Sequence, residues 1–405
     1  MIEGVDGSGV DDVFSICRET IETGYTKDNN EQTTTRADDN WSRSYFSAVI
    51  KLTIPRINMA EWALPVSLTL GVVIPILIYI TLSVVFFLKP SLIHKRIKKY
   101  GFNQRHLSHR GGGGEKLEGT MSAFINAVNC GTDILEMDVR LTSDDVVVVF
   151  HDETLQRCCG VPDAVIDTRY EDLPPLKPPL DLYYRKGHKT YGDDTRILTL
   201  REVFQRFSDV PVMLEVKGTQ EQLVRKVSDM IVEFDRTDRT IWGSENKSTS
   251  TLMYKQNADI PIFFSYKGGL LMLLWFYTGL LPFIRLRETF LVAPMPSVEL
   301  DPENGFDLGG FGRFKVWLTD KLFMRSSLFG HLSRRGINTF LFVLNKDSEY
   351  KRAFHQLKAT GVITDFPTSL SAYLRSAPLT DTQTSGPADS LLKTDTHTTE
   401  PTNDL

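Results

Sequence analysis

Residues 63–88, ALPVSLTLGVVIPILIYITLSVVFFL, carry no charged side chain. At about 1.5 Å of rise per residue, a helix of this run crosses a hydrocarbon core of roughly 30 Å. A helix that is apolar on every face has no polar side to turn to water, so the run predicts a transmembrane helix. Pro75 falls inside it, which membranes tolerate. The flanks are unequal: residues 89–103 hold Lys89, Lys95, Arg96, Lys98 and Lys99, whereas 48–62 hold Lys51 and Arg56. The positive-inside rule then predicts a single pass with everything after residue 88 in the cytosol. The basic cluster also suits anionic lipid heads. An endomembrane such as the endoplasmic reticulum is the expected address.

Ahead of the anchor, residues 1–58 are rich in Asp, Glu, Thr, Asn and Ser and are expected to be disordered. They open on an acidic stretch, without the basic and apolar regions of a cleavable signal peptide. The tail, 376–405, is rich in Thr, Ser, Asp and Pro, and the same expectation applies. A formal net charge of −5 argues against a nucleic-acid partner. Cys17, Cys130, Cys158 and Cys159 show no zinc spacing, and free thiols in a reducing compartment are the reading they support.

From 104 to 375 the pattern changes to short β-rich runs alternating with helical stretches. The strands expected are 104–109, 134–139, 146–151, 212–217, 240–243, 261–265, 290–293, 338–344 and 361–364. Helices are expected within 119–130, 221–234 and 348–359. Alternation over this length predicts an α/β domain, a (β/α)8 TIM barrel, preceded by the one transmembrane helix. Nine strands are one too many. The short link through Ser143, Asp144 and Asp145 marks 134–139 and 146–151 as a hairpin. Residues 152–200, with two Pro-Pro pairs, read as an insertion over one end of the barrel. A second apolar run, 268–284, is 17 residues long, at the short edge for spanning. If it spanned, one barrel could not close, so it is expected to dip into the same leaflet near the mouth of the site. A plain buried helix is the alternative.

Four short stretches fall at predicted strand ends, where barrel enzymes keep their catalytic groups. His109-Arg110-Gly111 offers a proton-transfer group and a planar fork of donors for phosphate. Glu136-Met137-Asp138 puts two carboxylates on one strand face, mutually repulsive unless a cation sits between them. His151-Asp152 adds a second imidazole with a carboxylate beside it, and Glu215-Val216-Lys217 a third carboxylate and a further cation. Hard oxygen ligands suit one divalent cation, Mg2+ or Ca2+. Together these are the parts of metal-assisted phosphoryl transfer. Singly each is weak, since an E-x-K is often only a surface ion pair. The run Gly111–Gly114 lacks a following Lys-Ser/Thr pair, so it is no Walker A loop; a flexible turn is expected.

The order HRG, E-x-D, HD, E-x-K and a final Thr364-Asp365-Phe366-Pro367 resembles the glycerophosphodiester phosphodiesterase family over roughly 104–375. With the N-terminal helix, GLLPFIRLRE and PMPS, it is similar to the membrane-bound animal subgroup, which acts as a lysophospholipase D releasing lysophosphatidic acid. The resemblance implies that His109 and His151 are the acid/base pair. It implies Glu136, Asp138 and Glu215 as metal ligands, and Arg110 and Lys217 as phosphate holders. It also implies attack by the substrate's own neighbouring hydroxyl through a cyclic phosphate. Two departures stand out: Glu118-Gly119-Thr120 where the family has E-N-T, and Phe342-Val343-Leu344-Asn345 where it has a Trp near the asparagine. The substrates expected are lysophospholipids or N-acyl lysophosphoethanolamines. Water-soluble glycerophosphodiesters such as glycerophosphocholine are the alternative, and a non-catalytic membrane scaffold is a third reading.

Overall fold

The computed structural model describes residues 67–94 and 100–376. The expectations for 1–58, for the basic residues 95–99 and for 377–405 lie outside them. Strands are β1 His106–Ser108, β2 Ile134–Leu141, β3 Val147–Val149, β4 Leu180–Asp181, β5 Lys189–Thr190, β6 Val212–Val216, β7 Thr240–Gly243, β8 Phe290–Pro294, β9 Asn338–Phe342 and β10 Gly361–Thr364.

The parallel ladder runs β7-β6-β2-β1-β10-β9-β8. Segment 262–263 closes it with single parallel bridges, Trp242 to Ile262 on one side and Phe263 to Phe290 on the other. That makes eight staves. The ninth expected strand is β3, which pairs antiparallel with β2, Val139 opposite Val149, as the short polar link between them dictates.

One buried cluster contains Leu107, Ile134, Met213, Ile241, Phe263, Phe290, Phe340 and Ile363, one side chain from each stave. This layer plugs the barrel. Because side chains on a strand alternate faces, the positions two residues further on point inward again, toward the C-terminal mouth. Those positions include His109, Glu136, Glu215 and Asp365. A second cluster around Phe124, Phe204 and Trp242, and a third around Phe329, Tyr350 and Phe354, bury the helices against the outside of the staves.

The glycine run is not a flexible turn. Gly112 has φ +92°, and a Cβ there would stand 2.4 Å from Pro367 Cγ. Gly114 N donates to Asp365 O, and Thr190 Oγ1 of the insertion hairpin β4–β5 donates to Gly113 O at 2.7 Å. Gly119 has φ +70°, a left-handed conformation that Gly and Asn tolerate best among residues. The departure from E-N-T therefore keeps the backbone path.

Helix Ile74–Leu88 follows a π-helical turn, Thr69–Val73. Pro75 has no N–H to donate back, and the ladder widens just ahead of it. Thr69–Leu88 is long and apolar enough to cross a membrane. From Ile76 onward it packs on the barrel's helices. Tyr79 Oη donates to Thr278 O at 2.5 Å, Ser83 Oγ donates to Gly279 O at 2.7 Å, and Phe87 stacks on His331 at 4.5 Å. Helix Tyr266–Thr278, from the second apolar run, is N-capped by Ser265 Oγ and buries only Gly268 and Met272. At 13 residues it is too short to span.

Gly112→Ala should cost on the order of 2 kcal/mol, since it combines a left-handed φ with a backbone-adjacent clash. Thermal unfolding of the full chain in detergent checks this; an unchanged transition would contradict the packed reading of the loop.

Candidate active site

The mouth of the barrel is organised around Asp138. Its side chain is almost fully buried, as is that of Glu136 two residues earlier on the same face of β2. In the parallel register Asp138 lies directly opposite Glu215 of β6, so the two carboxylates are neighbours across the ladder. Arg110 Nε stands 3.3 Å from Asp138 Oδ2, and Lys217 Nζ stands 3.6 Å from Asp138 Oδ1. Lys217 Nζ also donates to Glu215 Oε1 at 2.7 Å, and the Arg110 backbone N–H donates to Glu136 Oε2 at 2.7 Å. Lys217 thus bridges Asp138 and Glu215, whereas the Arg110 guanidinium lies between Asp138 and Glu118 and only its backbone N–H reaches Glu136. Arg110 reaches this position through a left-handed backbone, φ 50°. That is an uncommon conformation for a long side chain, and one that turns its N–H toward Glu136.

Charge is not balanced here. Burial raises the Glu136 carboxyl, and the neighbouring Asp138 charge raises it further, to about 7. Burial also raises Glu215 against the opposing pull of Lys217, with Asp138 adding to the rise. Asp138 itself is held low: burial works against it, but Arg110, Lys217, His151 and His109 together outweigh that. Both imidazoles and both cations therefore act on one carboxylate. Asp138 Oδ2 is buried and makes no hydrogen bond; the Arg110 charge 3.3 Å away offsets its burial as an ion pair.

The imidazoles are oriented by separate carboxylates. His109 Nδ1 lies 2.7 Å from Asp365 Oδ1 and His151 Nδ1 lies 2.6 Å from Asp152 Oδ1. An ionised carboxylate only accepts, so Nδ1–H donates in each and Nε2 is left for other chemistry. Asp365 is fixed in turn by Asn345, whose Nδ2 donates to Asp365 Oδ2 at 2.9 Å while Asp365 N–H donates to Asn345 Oδ1 at 2.9 Å. Burial pulls the His109 pKa down, but Asp365, aided by Glu136, more than reverses this, and the net direction is up.

Several of these residues have no role that the sequence alone marks. Asp365 and Asn345 were visible only as motif letters. Glu118 accepts from Arg110 Nη1 at 2.9 Å and from Arg157 Nη1 and Nη2 at 2.9 and 2.7 Å. Arg157 Nε donates to Asp152 Oδ2 at 2.6 Å. A single chain, Arg110–Glu118–Arg157–Asp152–His151, thus links Arg110 to the second imidazole. Arg157 comes from the insertion, beside the buried Cys158 and Cys159, and no spacing marks it. Arg140, next inward on β2, donates to His151 O and Lys217 O, at 2.9 and 3.3 Å.

Among the described residues, no three His, Cys, Asp or Glu side chains gather tightly enough to hold an ion as they stand. Asp138 pairs with Arg110 and Lys217, Glu215 with Lys217, and Glu136 with the Arg110 backbone N–H, instead of all three facing a common centre. Their donor chemistry nonetheless fits a hard divalent cation: three carboxylates, two raised by burial and by the Asp138 charge, and one buried oxygen that is ion-paired but makes no hydrogen bond.

Asp365→Asn removes the charge that holds the His109 pKa up. The His109-dependent limb of the pH–rate profile should then move to lower pH, with kcat falling about 10²- to 10⁴-fold. An unmoved limb would show that Asp365 does not act on His109.

Residues 109–369 match the glycerophosphoryl diester phosphodiesterase family. Lysophospholipase D GDPD1 of Mus musculus is 45% identical over 296 residues, covering 73% of this chain and 94% of the relative. Lysophospholipase D GDPD3 of Homo sapiens is 38% identical over 296 residues, covering 73% and 92%. A glycerophosphoryl diester phosphodiesterase structure from Silicibacter pomeroyi superimposes with a TM-score of 0.52 at 16% identity, covering 71% of this chain and 97% of that one. That likeness bears on the fold alone, and it is the barrel described above. This chain therefore belongs to the glycerophosphoryl diester phosphodiesterase family and is a phosphoric diester hydrolase.

Proposed function

We propose that the protein is a membrane-anchored, divalent-metal-dependent lysophospholipase D, releasing lysophosphatidic acid from lysophospholipids or N-acyl lysophosphoethanolamines. The observation that carries the chemistry is geometric: Arg110 and Lys217 both stand on Asp138, His151 lines the same small cavity as Asp138 and Arg110, and His109 precedes Arg110 at the mouth of β1 with its Nδ1 on Asp365. Support for the substrate class comes from the mammalian relatives named lysophospholipase D, matched along almost their whole length. Support for the membrane comes from Thr69–Leu88 and from the exposed Leu270, Leu271, Leu274 and Tyr277 of the second apolar run.

In this reading Arg110 and Lys217 turn from bridging carboxylates to holding phosphate oxygens. Glu136, Asp138 and Glu215 would hold Mg2+ or Ca2+, which when bound supplies Lewis-acid polarisation of the phosphate. His151, oriented by Asp152, takes the proton from the substrate's attacking hydroxyl, and the cyclic phosphate so formed is then opened by water to lysophosphatidic acid. His109, whose raised pKa keeps its ring protonated further toward neutral pH, gives a proton to the leaving oxygen. Arg157 is a positioning residue, holding Asp152 and Glu118 at once. The barrel lies in the cytosol and the N-terminal segment in the lumen.

The deciding assay offers the purified full chain lysophosphatidylcholine, an N-acyl lysophosphoethanolamine and glycerophosphocholine. Lysolipids should be turned over, silenced by EDTA and restored by Mg2+ or Ca2+. Preference for glycerophosphocholine would favour the water-soluble reading, and indifference to chelation would remove the metal. His151→Ala should lower kcat about 10²- to 10⁴-fold with thermal stability unchanged, as expected for an acid/base group; retained turnover would exclude the role. For topology, Asn40 is expected to carry glycan and Asn246 none, by endoglycosidase shift. Glycan at Asn246, whose side chain here caps helix Lys247–Gln256, would reverse the orientation.

A further inference from the structure

Helix Gly309–Phe323 is 15 residues long, and the only side chain it buries is that of Asp320. A helix on a globular domain normally turns its apolar stripe inward. This one turns it outward. Phe311, Phe314, Trp317, Leu318 and Leu322 are all exposed, Phe311 by 82%, and their spacing of three, four and seven places them along one side. What holds the helix is polar: Asp320 accepts from Arg352 Nη1 and Nη2 at 2.9 and 2.6 Å and from Ser297 N–H at 3.2 Å. The remaining charges, Arg313, Lys315 and Lys321, are exposed and all positive.

The helix continues an apolar surface at one end and meets the active site at the other. Near its C-terminus Tyr277 Oη donates to Leu322 O at 2.7 Å. This joins it to helix Tyr266–Thr278, on which Tyr79 and Phe87 of the apolar N-terminal helix pack. Ahead of its N-terminus Phe306 lies 5.9 Å from Tyr183 and 6.3 Å from Tyr184, and the Tyr184 ring stands 6.3 Å from the His109 ring. Aromatic rings thus lead from the exposed face to the first catalytic imidazole.

We infer that helix Gly309–Phe323 is a membrane-surface helix. Its aromatic face lies in the outer part of an anionic leaflet, and the Phe306–Tyr184 pair receives lipid substrate from that leaflet beside His109. The occupant is a lipid surface: an apolar stripe flanked only by cations matches acyl chains beneath anionic heads. Trp317 and the snorkelling stems of Lys315 and Lys321 suit the interface. The inference rests on the membrane reading of Thr69–Leu88, and the test separates the two.

The full chain is reconstituted into phosphatidylcholine vesicles containing phosphatidylserine, with lipids brominated near the carbonyl end of the acyl chain. Trp317 emission is taken as the difference between wild type and W317F, with W317L as a second subtraction. The expected result is loss of this emission in brominated vesicles, lessened when phosphatidylserine is omitted or by F311D/F314D. A Trp317 component that bromine leaves unquenched overturns the inference and points to a protein partner on that face. Alkaline carbonate extraction reads the anchor independently: an extractable chain would refute the span, while quenching of Trp317 would still decide for the surface helix.

Discussion

Everything at the barrel mouth follows from strand parity above a closed apolar plug. Eight side chains, one from each stave, fill the barrel, and the next inward positions on four staves hold His109, Glu136, Glu215 and Asp365. An apolar floor keeps water from solvating those groups from below, so each must find its counter-charge among its neighbours. Arg110 and Lys217 meet that need only in part, which leaves Glu136 and Glu215 raised and one oxygen of Asp138 ion-paired without a hydrogen bond. A stable fold alone gains little from so many buried ions, and their persistence is expected where they serve chemistry.

The surrounding parts act by fixing orientation. Asn345 holds Asp365, Asp365 holds His109, and Arg157 holds both Asp152 and Glu118. The insertion contributes Arg157 and, through Thr190, a clamp on the glycine loop that carries Arg110 into place. A segment that reads as an irregular excursion in sequence is thereby part of the site's frame.

Much of this was legible in the sequence. The i, i+2 spacing of Glu136-Met137-Asp138 and Glu215-Val216-Lys217 fixes a shared face once the segments are strands, and the polar link after β2 identified the hairpin. What could not be read is what depends on distant segments meeting. Arg157 and Glu118 are 39 residues apart with no spacing rule between them. Asp365 and His109 meet only because β10 closes on β1. The glycine run reads as flexible because its rigidity comes from Pro367 and the insertion. Helix Gly309–Phe323 has no clear sequence signal, since its apolar stripe is interrupted by cations and buries almost nothing.

The central claim is that Glu136, Asp138 and Glu215 form one cation site at the barrel mouth. Mn2+ binding to the purified full chain, followed by electron paramagnetic resonance, tests it without reference to turnover. The account predicts a single bound Mn2+ per chain in the wild type, lost or greatly weakened in both Asp138→Asn and Glu215→Gln. Binding that survives both substitutions would place the metal elsewhere and contradict the account.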